Sequence, residues 1–170
     1  QMPPDDRTRL LVRHPKFRHR FALGTLDGAS WSCLLDESAY FARFCPWQRL
    51  KGDDWAAILL DHPQYGERCR NWESVDDAMS GSDWAALLSK APEYADHCTA
   101  WSEISGWSWV TLLKAQPGFA DRCDWRKLSG LCWTLLLTDH PEFADHCDWG
   151  KLSDRNWKLL LASRPEFKKY

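Results

Sequence analysis

The chain of 170 residues carries 22 basic and 24 acidic side chains, which gives a formal net charge of −2 and a sequence pI near 6.3. This balance argues against a general nucleic-acid or membrane-surface binder, since both need an excess of basic residues. No apolar run approaches the ~20 residues that span a bilayer, so we predict no membrane segment in a chain whose length suits one domain.

A sequence repeat of about 24 residues recurs along the chain. In the second half it reads CDWRKLSGLCWTLLLTDHPEFADH and begins again as CDWGKLSDRNWKLLLASRPEF. Most copies place a tryptophan before leucines three and four residues later, a proline after eight and an aromatic residue after ten. The exceptions are Arg7 in place of the tryptophan in the first copy, Ala39 in place of the proline in the second, and Ile58 in place of the first leucine in the third. Seven copies align, the first degenerate and the last incomplete. We therefore interpret residues 7–170 as a single repeat domain and residues 1–6 as a leader or as residues added to a fragment.

Each copy predicts a long helix, a short helix and one further helical turn. In the fourth copy Trp84, Leu87 and Leu88 lie on one helical face, and Ser80 with Asp83 forms a capping-box pattern. The helix must end before Pro92, because a residue that precedes proline disfavours the α conformation. The proline then begins the short helix, and the turn after it can be α or 3₁₀. No segment alternates with the period of a strand. The predicted long helices contain, in chain order, Arg7, Trp31, Trp55, Trp84, Trp109, Trp133 and Trp157.

One unit is too short to bury its own apolar side chains, so we predict an all-α solenoid of seven stacked units. A buried aromatic side chain removes ~150–250 Å² from water, which contributes roughly 4–6 kcal/mol before entropy is subtracted. Two tryptophan positions and one cysteine position per copy are therefore expected in the core. The residues are Trp31, Trp47, Trp55, Trp72, Trp84, Trp101, Trp109, Trp125, Trp133, Trp149, Trp157, Cys45, Cys69, Cys98, Cys123 and Cys147.

The period and the alternation of longer with shorter helices resemble the leucine-rich repeat variant solenoids. That family lacks the tryptophan and cysteine positions found here, so the resemblance implies architecture only. The wording CDWxxLSGxxWxxLL is similar to repeat arrays of bacterial proteins, and this second resemblance implies no activity.

The seven cysteines favour core packing over metal or disulfide chemistry. No Cys-x₂-Cys pair is present, and equivalent cysteines in adjacent units would lie about one helix spacing apart, beyond the ~7 Å that a disulfide allows between Cα atoms. Pairing of Cys33 with Cys45, or of Cys123 with Cys132, stays open at this point. Reduced thiols favour a cytoplasmic protein, and we expect no metal and no cofactor.

Histidine placement favours structure over catalysis. His14, His62 and His140 precede the proline position of their copies, and we interpret them as partly exposed imidazoles near helix C-termini, where the macrodipole favours a cation. No serine, cysteine or aspartate is set apart from the repeat beside a base, as a catalytic nucleophile would be. We therefore predict that the chain is not an enzyme and has no catalytic residues.

Glycans and nucleic acids fit this pattern poorly as ligands. Glycan-binding tryptophan repeats have a strand pattern, whereas the tryptophans here have helical spacing and should be buried; Trp107, outside the repeat, is the expected exception. The segment from Arg7 to Arg20 is basic, but it lies on the degenerate first copy, so we interpret it as a solvated cap or a contact to a preceding domain. The remaining copies carry an acidic excess, which disfavours nucleic acid.

The three residues before each proline position vary freely, reading VRH, DES, LDH, SKA, KAQ, TDH and ASR. A fixed core with varied surface positions is how solenoids build binding faces, although plain drift would give the same pattern. We predict a monomeric, non-catalytic scaffold that binds a protein or peptide; the alternative is a structural spacer or sensor array in a larger chain. The candidate contact residues are Asp36, Asp61, Lys90, Lys114 and Asp139.

Overall fold

The computed structural model describes residues 23–170, and over that range it contains helices and no strands. Six α-helices have ten residues each and one has seven. They are α1 Gly28–Glu37, α2 Gly52–Asp61, α3 Trp72–Ala78, α4 Gly81–Lys90, α5 Gly106–Ala115, α6 Gly130–Asp139 and α7 Asp154–Ser163. The predicted all-α repeat fold is confirmed. The leader, residues 1–6, and the first copy around Arg7 lie outside the described residues.

Short 3₁₀ helices connect the α-helices. The segments that begin at the proline position are 3₁₀ as well, and at five or six residues they are longer than most helices of this type. One connection differs: the insertion in RNWESVDDAM gives the third copy enough residues for α3, a two-turn α-helix. The 3₁₀ segments are Leu23–Thr25, Ala39–Arg43, Trp47–Arg49, Pro63–Arg68, Pro92–His97, Ala100–Glu103, Pro117–Arg122, Trp125–Lys127, Pro141–His146, Trp149–Lys151 and Pro165–Lys169.

Caps fix both ends of the long helices. Ser80 accepts a hydrogen bond from the backbone N–H of Asp83, and the Asp83 carboxylate accepts one from the backbone N–H of Ser80 at 2.9 Å, which confirms the predicted capping box. At the other end the backbone N–H of Ala91 donates to Leu87, and Pro92 begins the next segment.

The chain divides into two compact units, one ending at Met79 and the other comprising Ser80–Tyr170. In the first unit α1 packs on α2, and α2 packs on α3. In the second unit α4, α5, α6 and α7 pack in sequence, each on the next. Successive packing of equivalent helices is the arrangement of a helical repeat. The single domain over residues 7–170 stays a prediction.

The tryptophan of the long helix, which we call the first tryptophan position, lies in the core in five of the six described long helices. Five of these side chains are at most 3% exposed, namely Trp31, Trp55, Trp84, Trp109 and Trp133. Trp157 of α7 is half-buried. Three of the five repeat cysteines are buried, namely Cys45, Cys69 and Cys98, whereas Cys123 and Cys147 are half-buried.

The tryptophan that follows the repeat cysteine, which we call the second tryptophan position, is half-buried and not fully buried as predicted. This holds for Trp47, Trp72, Trp101, Trp125 and Trp149. The ring of Trp125 stacks on Trp133 at 5.4 Å, packs against Phe143 at 5.5 Å and stacks with the His146 imidazole at 4.5 Å. The residues that take the place of His146 against Trp47, Trp101 and Trp149 are Arg68, Arg122 and Tyr170. The rings of the following repeat therefore cover an indole that the core does not enclose.

Glycine at the start of a long helix lets neighbouring repeats touch through their backbones. A Cβ on Gly106 would collide with the carbonyl oxygen of Lys127, and a Cβ on Gly130 would collide with the carbonyl oxygen of Lys151. Lys151 also reaches back across this contact, and its Nζ donates to the carbonyl oxygens of Arg126 at 2.7 Å and Leu128 at 3.1 Å. Close packing at this edge fixes the spacing of the long helices, and with it the spacing of their outer surfaces.

Candidate functional site

The outer surfaces of the long helices form the candidate site. Positions 2, 6, 9 and 10 of each helix fall on one helical face, and none of these residues is buried in α4–α7. We call this set the α4–α7 face. It consists of Ser82, Ala86, Ser89, Lys90, Trp107, Thr111, Lys114, Ala115, Leu131, Leu135, Thr138, Asp139, Arg155, Leu159, Ala162 and Ser163.

Large apolar side chains are exposed on the α4–α7 face. Trp107 is 56% exposed, Leu131 43% and Leu159 48%. Trp107 and Leu131 occupy the same position of adjacent packed helices, and Leu159 lies on the next helix one turn further along. Exposed leucines scattered singly need no explanation, but apolar side chains gathered on one face are typical of an interaction surface. The expected exposure of Trp107 is confirmed.

Two cations border these apolar side chains. Arg155 stands at position 2 of α7, in register with Trp107 and Leu131, and Lys158 directly precedes Leu159. Both side chains are exposed, and neither forms an ion pair with any residue of the range 23–170. Their charges are therefore available to a ligand at the α7 side of the face.

The five predicted contact residues are all exposed and lie on the outer faces of the long helices. In the second unit the Lys114 ammonium forms an ion pair with the Asp139 carboxylate at 2.5 Å, which links α5 to α6, and Lys90 ends α4. The hydrogen bond and charge of Lys114 hold the pKa of Asp139 below its usual value.

The two predicted contact residues of the first unit belong to a separate surface. Asp61 accepts a hydrogen bond from the Ser32 hydroxyl at 2.8 Å, and Asp36 lies 3.3 Å from His62 Nε2. The same helix positions in this unit define the α1–α2 face. It consists of Ala29, Cys33, Asp36, Glu37, Asp53, Ala57, Leu60 and Asp61.

In several repeats the residue before the proline contacts the preceding long helix, and of the two described histidines at this position only His62 differs from the expected partly exposed imidazole. His62 is 7% exposed, and its Nε2 lies 3.0 Å from the Ser32 carbonyl oxygen. His140 is half-buried, with Nε2 3.3 Å from the carbonyl oxygen of Lys114. Arg164 donates to Thr138 in the same way at 2.8 Å. Lys114 and Thr138 lie in the last turns of α5 and α6, where helix carbonyls lack intrahelical partners, so the next repeat satisfies them. His14 lies outside the described residues.

The thiols and other potential metal ligands are dispersed. Cys33, Cys45, Cys69, Cys123, Cys132 and Cys147 are free thiols, so neither of the two open pairings is formed. Burial raises the pKa of Cys45, Cys123 and Cys147 to about 12. Within residues 23–170 no three His, Cys, Asp or Glu side chains lie together as metal ligands would.

Sequence reasoning missed Leu131, Leu159 and the adjacent cations. Both leucines lie in stretches that read as core, GLCW and KLLL. A signal was present, because Leu131 holds the same place before its tryptophan as Trp107 does. A run of three leucines also cannot lie wholly on one buried stripe of a helix.

No helix in the described part of the chain is both long and apolar enough to cross a membrane. Comparison with known proteins found no matching family model, no matching curated protein and no matching solved structure. The α4–α7 face is therefore interpreted from its own chemistry.

Proposed function

We propose that this chain is a non-catalytic repeat scaffold that binds a protein or peptide through the outer faces of its long helices. The observation that supports this most is the exposure of Trp107, Leu131 and Leu159 on three successive helices. Full burial of a leucine side chain contributes about 1.5–3 kcal/mol, so completing the burial of these side chains would contribute about 1 kcal/mol or more apiece.

The layer beneath the face also suits binding. The helices that carry Trp107 and Leu131 also carry Trp109 and Trp133, whose side chains are fully buried. A surface held in place in this way loses little conformational freedom when a partner docks, and a smaller ordering cost leaves more of the contact energy as affinity.

The finer features of this proposal follow from the sequence. The 24-residue period and the alternation of helix lengths support an architecture like that of the leucine-rich repeat variant solenoids. Cysteines that remain free thiols support a cytoplasmic location. We propose a monomer, with the partner supplying the cover for the exposed face.

Selection from a library of random 16-residue peptides displayed on phage tests the proposal. The bait is the whole chain, compared with the triple variant Trp107→Ser, Leu131→Ser, Leu159→Ser. We expect families of enriched peptides with the original chain and loss of that enrichment with the variant. Tyr40→Ser, which changes an exposed aromatic residue of the first unit, is the matched control and should leave enrichment unchanged.

Circular dichroism must show the same helicity and melting temperature for all baits. Equal enrichment on the original chain and the triple variant would contradict the proposal. That result would instead favour the spacer or sensor array, for which the exposed leucines have no role.

A further inference from the structure

The charges of the α4–α7 face are unevenly distributed. Its basic residues are Lys90, Lys114 and Arg155, and its one acidic residue is Asp139. Asp139 is already neutralised by Lys114 across the α5–α6 contact. Lys158, at the edge of the face beside Leu159, adds a further cation.

The cations without ion pairs lie next to the exposed leucines. Arg155 continues the row of Trp107 and Leu131 onto α7, and Lys158 is adjacent to Leu159 in the chain. A partner side chain that covers Leu131 or Leu159 therefore brings its neighbours close to two positive charges. Asp154, at the first residue of α7, is the nearest acid in the chain, and the positive end of the helix dipole favours it there.

We infer, on the basis of the proposed function, that the α4–α7 face takes an acidic amphipathic protein segment. Its apolar side chains would complete the burial of Trp107, Leu131 and Leu159, and its carboxylates would pair with Arg155 and Lys158. Charge complementarity of this kind selects partners and speeds association, because like charges brought together on an interface are unfavourable.

The α1–α2 face has the opposite character. It carries four acidic residues and no basic one, listed as Asp36, Glu37, Asp53 and Asp61. An acidic segment would be repelled there, so of the two described faces the inference predicts binding at the one in residues 80–170.

Three fluorescein-labelled 16-residue synthetic peptides serve as probes in fluorescence polarisation. The first has leucine at helical spacing and glutamate elsewhere, the second has lysine in place of glutamate, and the third has serine in place of leucine. We expect the first peptide to bind at least tenfold more tightly than either of the others. We also expect its affinity to fall as salt is raised, since exposed charge pairs are screened.

The double variant Arg155→Glu, Lys158→Glu should weaken binding of the first peptide at least tenfold and strengthen binding of the second. Arg49→Glu with Lys168→Glu is the control, because it makes the same change in net charge at exposed positions off the face. This control should leave both affinities within about twofold.

The outcomes separate the inference from the proposed function. Equal binding of the glutamate and lysine peptides, with both lost in the Trp107, Leu131 and Leu159 triple variant, would keep the binding face and overturn the acidic partner. No binding of the glutamate peptide would also overturn the inference, while the display selection would still report on the face itself. Sedimentation that shows a dimer broken by Arg155→Glu, Lys158→Glu would identify a second copy of the chain as the occupant and overturn the inference.

Discussion

The two units have cores of the same composition and differ on their outer faces. Trp55 in the first and Trp133 in the second are buried equally, as are the leucines and isoleucine one turn later. Half of the positions on the α1–α2 face are acidic, whereas the α4–α7 face is apolar and weakly basic. Since each face rests on a buried layer of the same composition, the fold requires neither surface composition.

The helix caps differ between the units as well. All four long helices of the second unit have a serine cap, at Ser80, Ser105, Ser129 and Ser153. In the first unit α2 is preceded by Lys51, whose side chain makes no cap hydrogen bond. The Asp54 carboxylate accepts from the backbone N–H of Lys51 at 3.0 Å, as Asp83 does from Ser80, and also from that of Gly28 at 2.7 Å. One carboxylate thus keeps one of the two capping-box hydrogen bonds and joins α2 to α1.

The equality of the two cores can be broken by removing one tryptophan at a time. Trp133→Ala and Trp55→Ala each delete a side chain that is at most 3% exposed, so each should lower the free energy of unfolding by about 3–5 kcal/mol. Urea titration measures the total loss in free energy of unfolding, and hydrogen exchange shows which of the two units has lost protection. The half-buried Trp125 is the comparison, and Trp125→Ala should cost less. A marked difference between the two core variants would show that the cores are not equivalent.

The backbone contact between repeats gives the next largest effect. In Gly130→Ala the new methyl group would collide with the Lys151 carbonyl, so we expect a loss of about 1–3 kcal/mol, although alanine favours a helix over glycine. Gly52→Ala should act similarly in the first unit, against Ser74. Gly118 has open space around its Cα, and Gly118→Ala should change stability by less than about 0.5 kcal/mol. Thermal melts of the three variants measure these changes in stability. Equal melting temperatures would contradict a close backbone approach between repeats at Gly130 and Gly52.

The long helices could be predicted from sequence because their signals are local. Trp84, Leu87 and Leu88 share a face, Ser80 caps the start, and Pro92 prevents continuation. All of these signals lie within thirteen residues. The type of the short helices was harder, because α and 3₁₀ turns of this length differ little in sequence preference.

The burial of the second tryptophan depends on the next repeat. The environment of Trp125 is set by Phe143 and His146, about twenty residues later, and no helical period relates those positions. The same reason explains His62, whose partner is the Ser32 carbonyl oxygen in the preceding helix. These contacts recur at successive junctions between repeats, but the sequence pattern within one copy does not predict them.

The candidate site was half predictable. Variation before the proline position identified Lys114 and Asp139, which do lie on the outer face. The exposed Leu131 and Leu159 were not singled out, because leucine is most often a buried residue and its type alone does not indicate an exposed position. Only their position around the helix distinguishes these two leucines from the buried leucines of the same helices.

The missing cap of α2 offers a gain in stability. Lys51→Ser would place a hydroxyl before Asp54, in the same arrangement as Ser80 before Asp83, and should stabilise the chain by about 0.5–1 kcal/mol. Lys51→Ala is the control and should give no gain. Ser129→Ala in the second unit should lose about 1 kcal/mol, because its side chain accepts from the Cys132 N–H at 3.3 Å. If the free energy of unfolding of Lys51→Ser does not exceed that of Lys51→Ala in urea titrations, the capping difference between the units does not affect stability.

The last effect concerns pH and applies to both units alike. Burial raises the pKa of Cys45 in the first unit and of Cys147 in the second to about 12, from an ordinary value near 9. The folded chain therefore keeps thiol protons that the unfolded chain releases, so this contribution to stability is complete below pH 9 and is lost as pH rises toward 12. Cys45→Ala and Cys147→Ala should each flatten the decline in unfolding free energy between pH 9 and 11, relative to the original chain. Cys33→Ala, at an exposed thiol, should leave that slope unchanged; an equal flattening in all three variants would mean that burial of the repeat cysteines is not its cause.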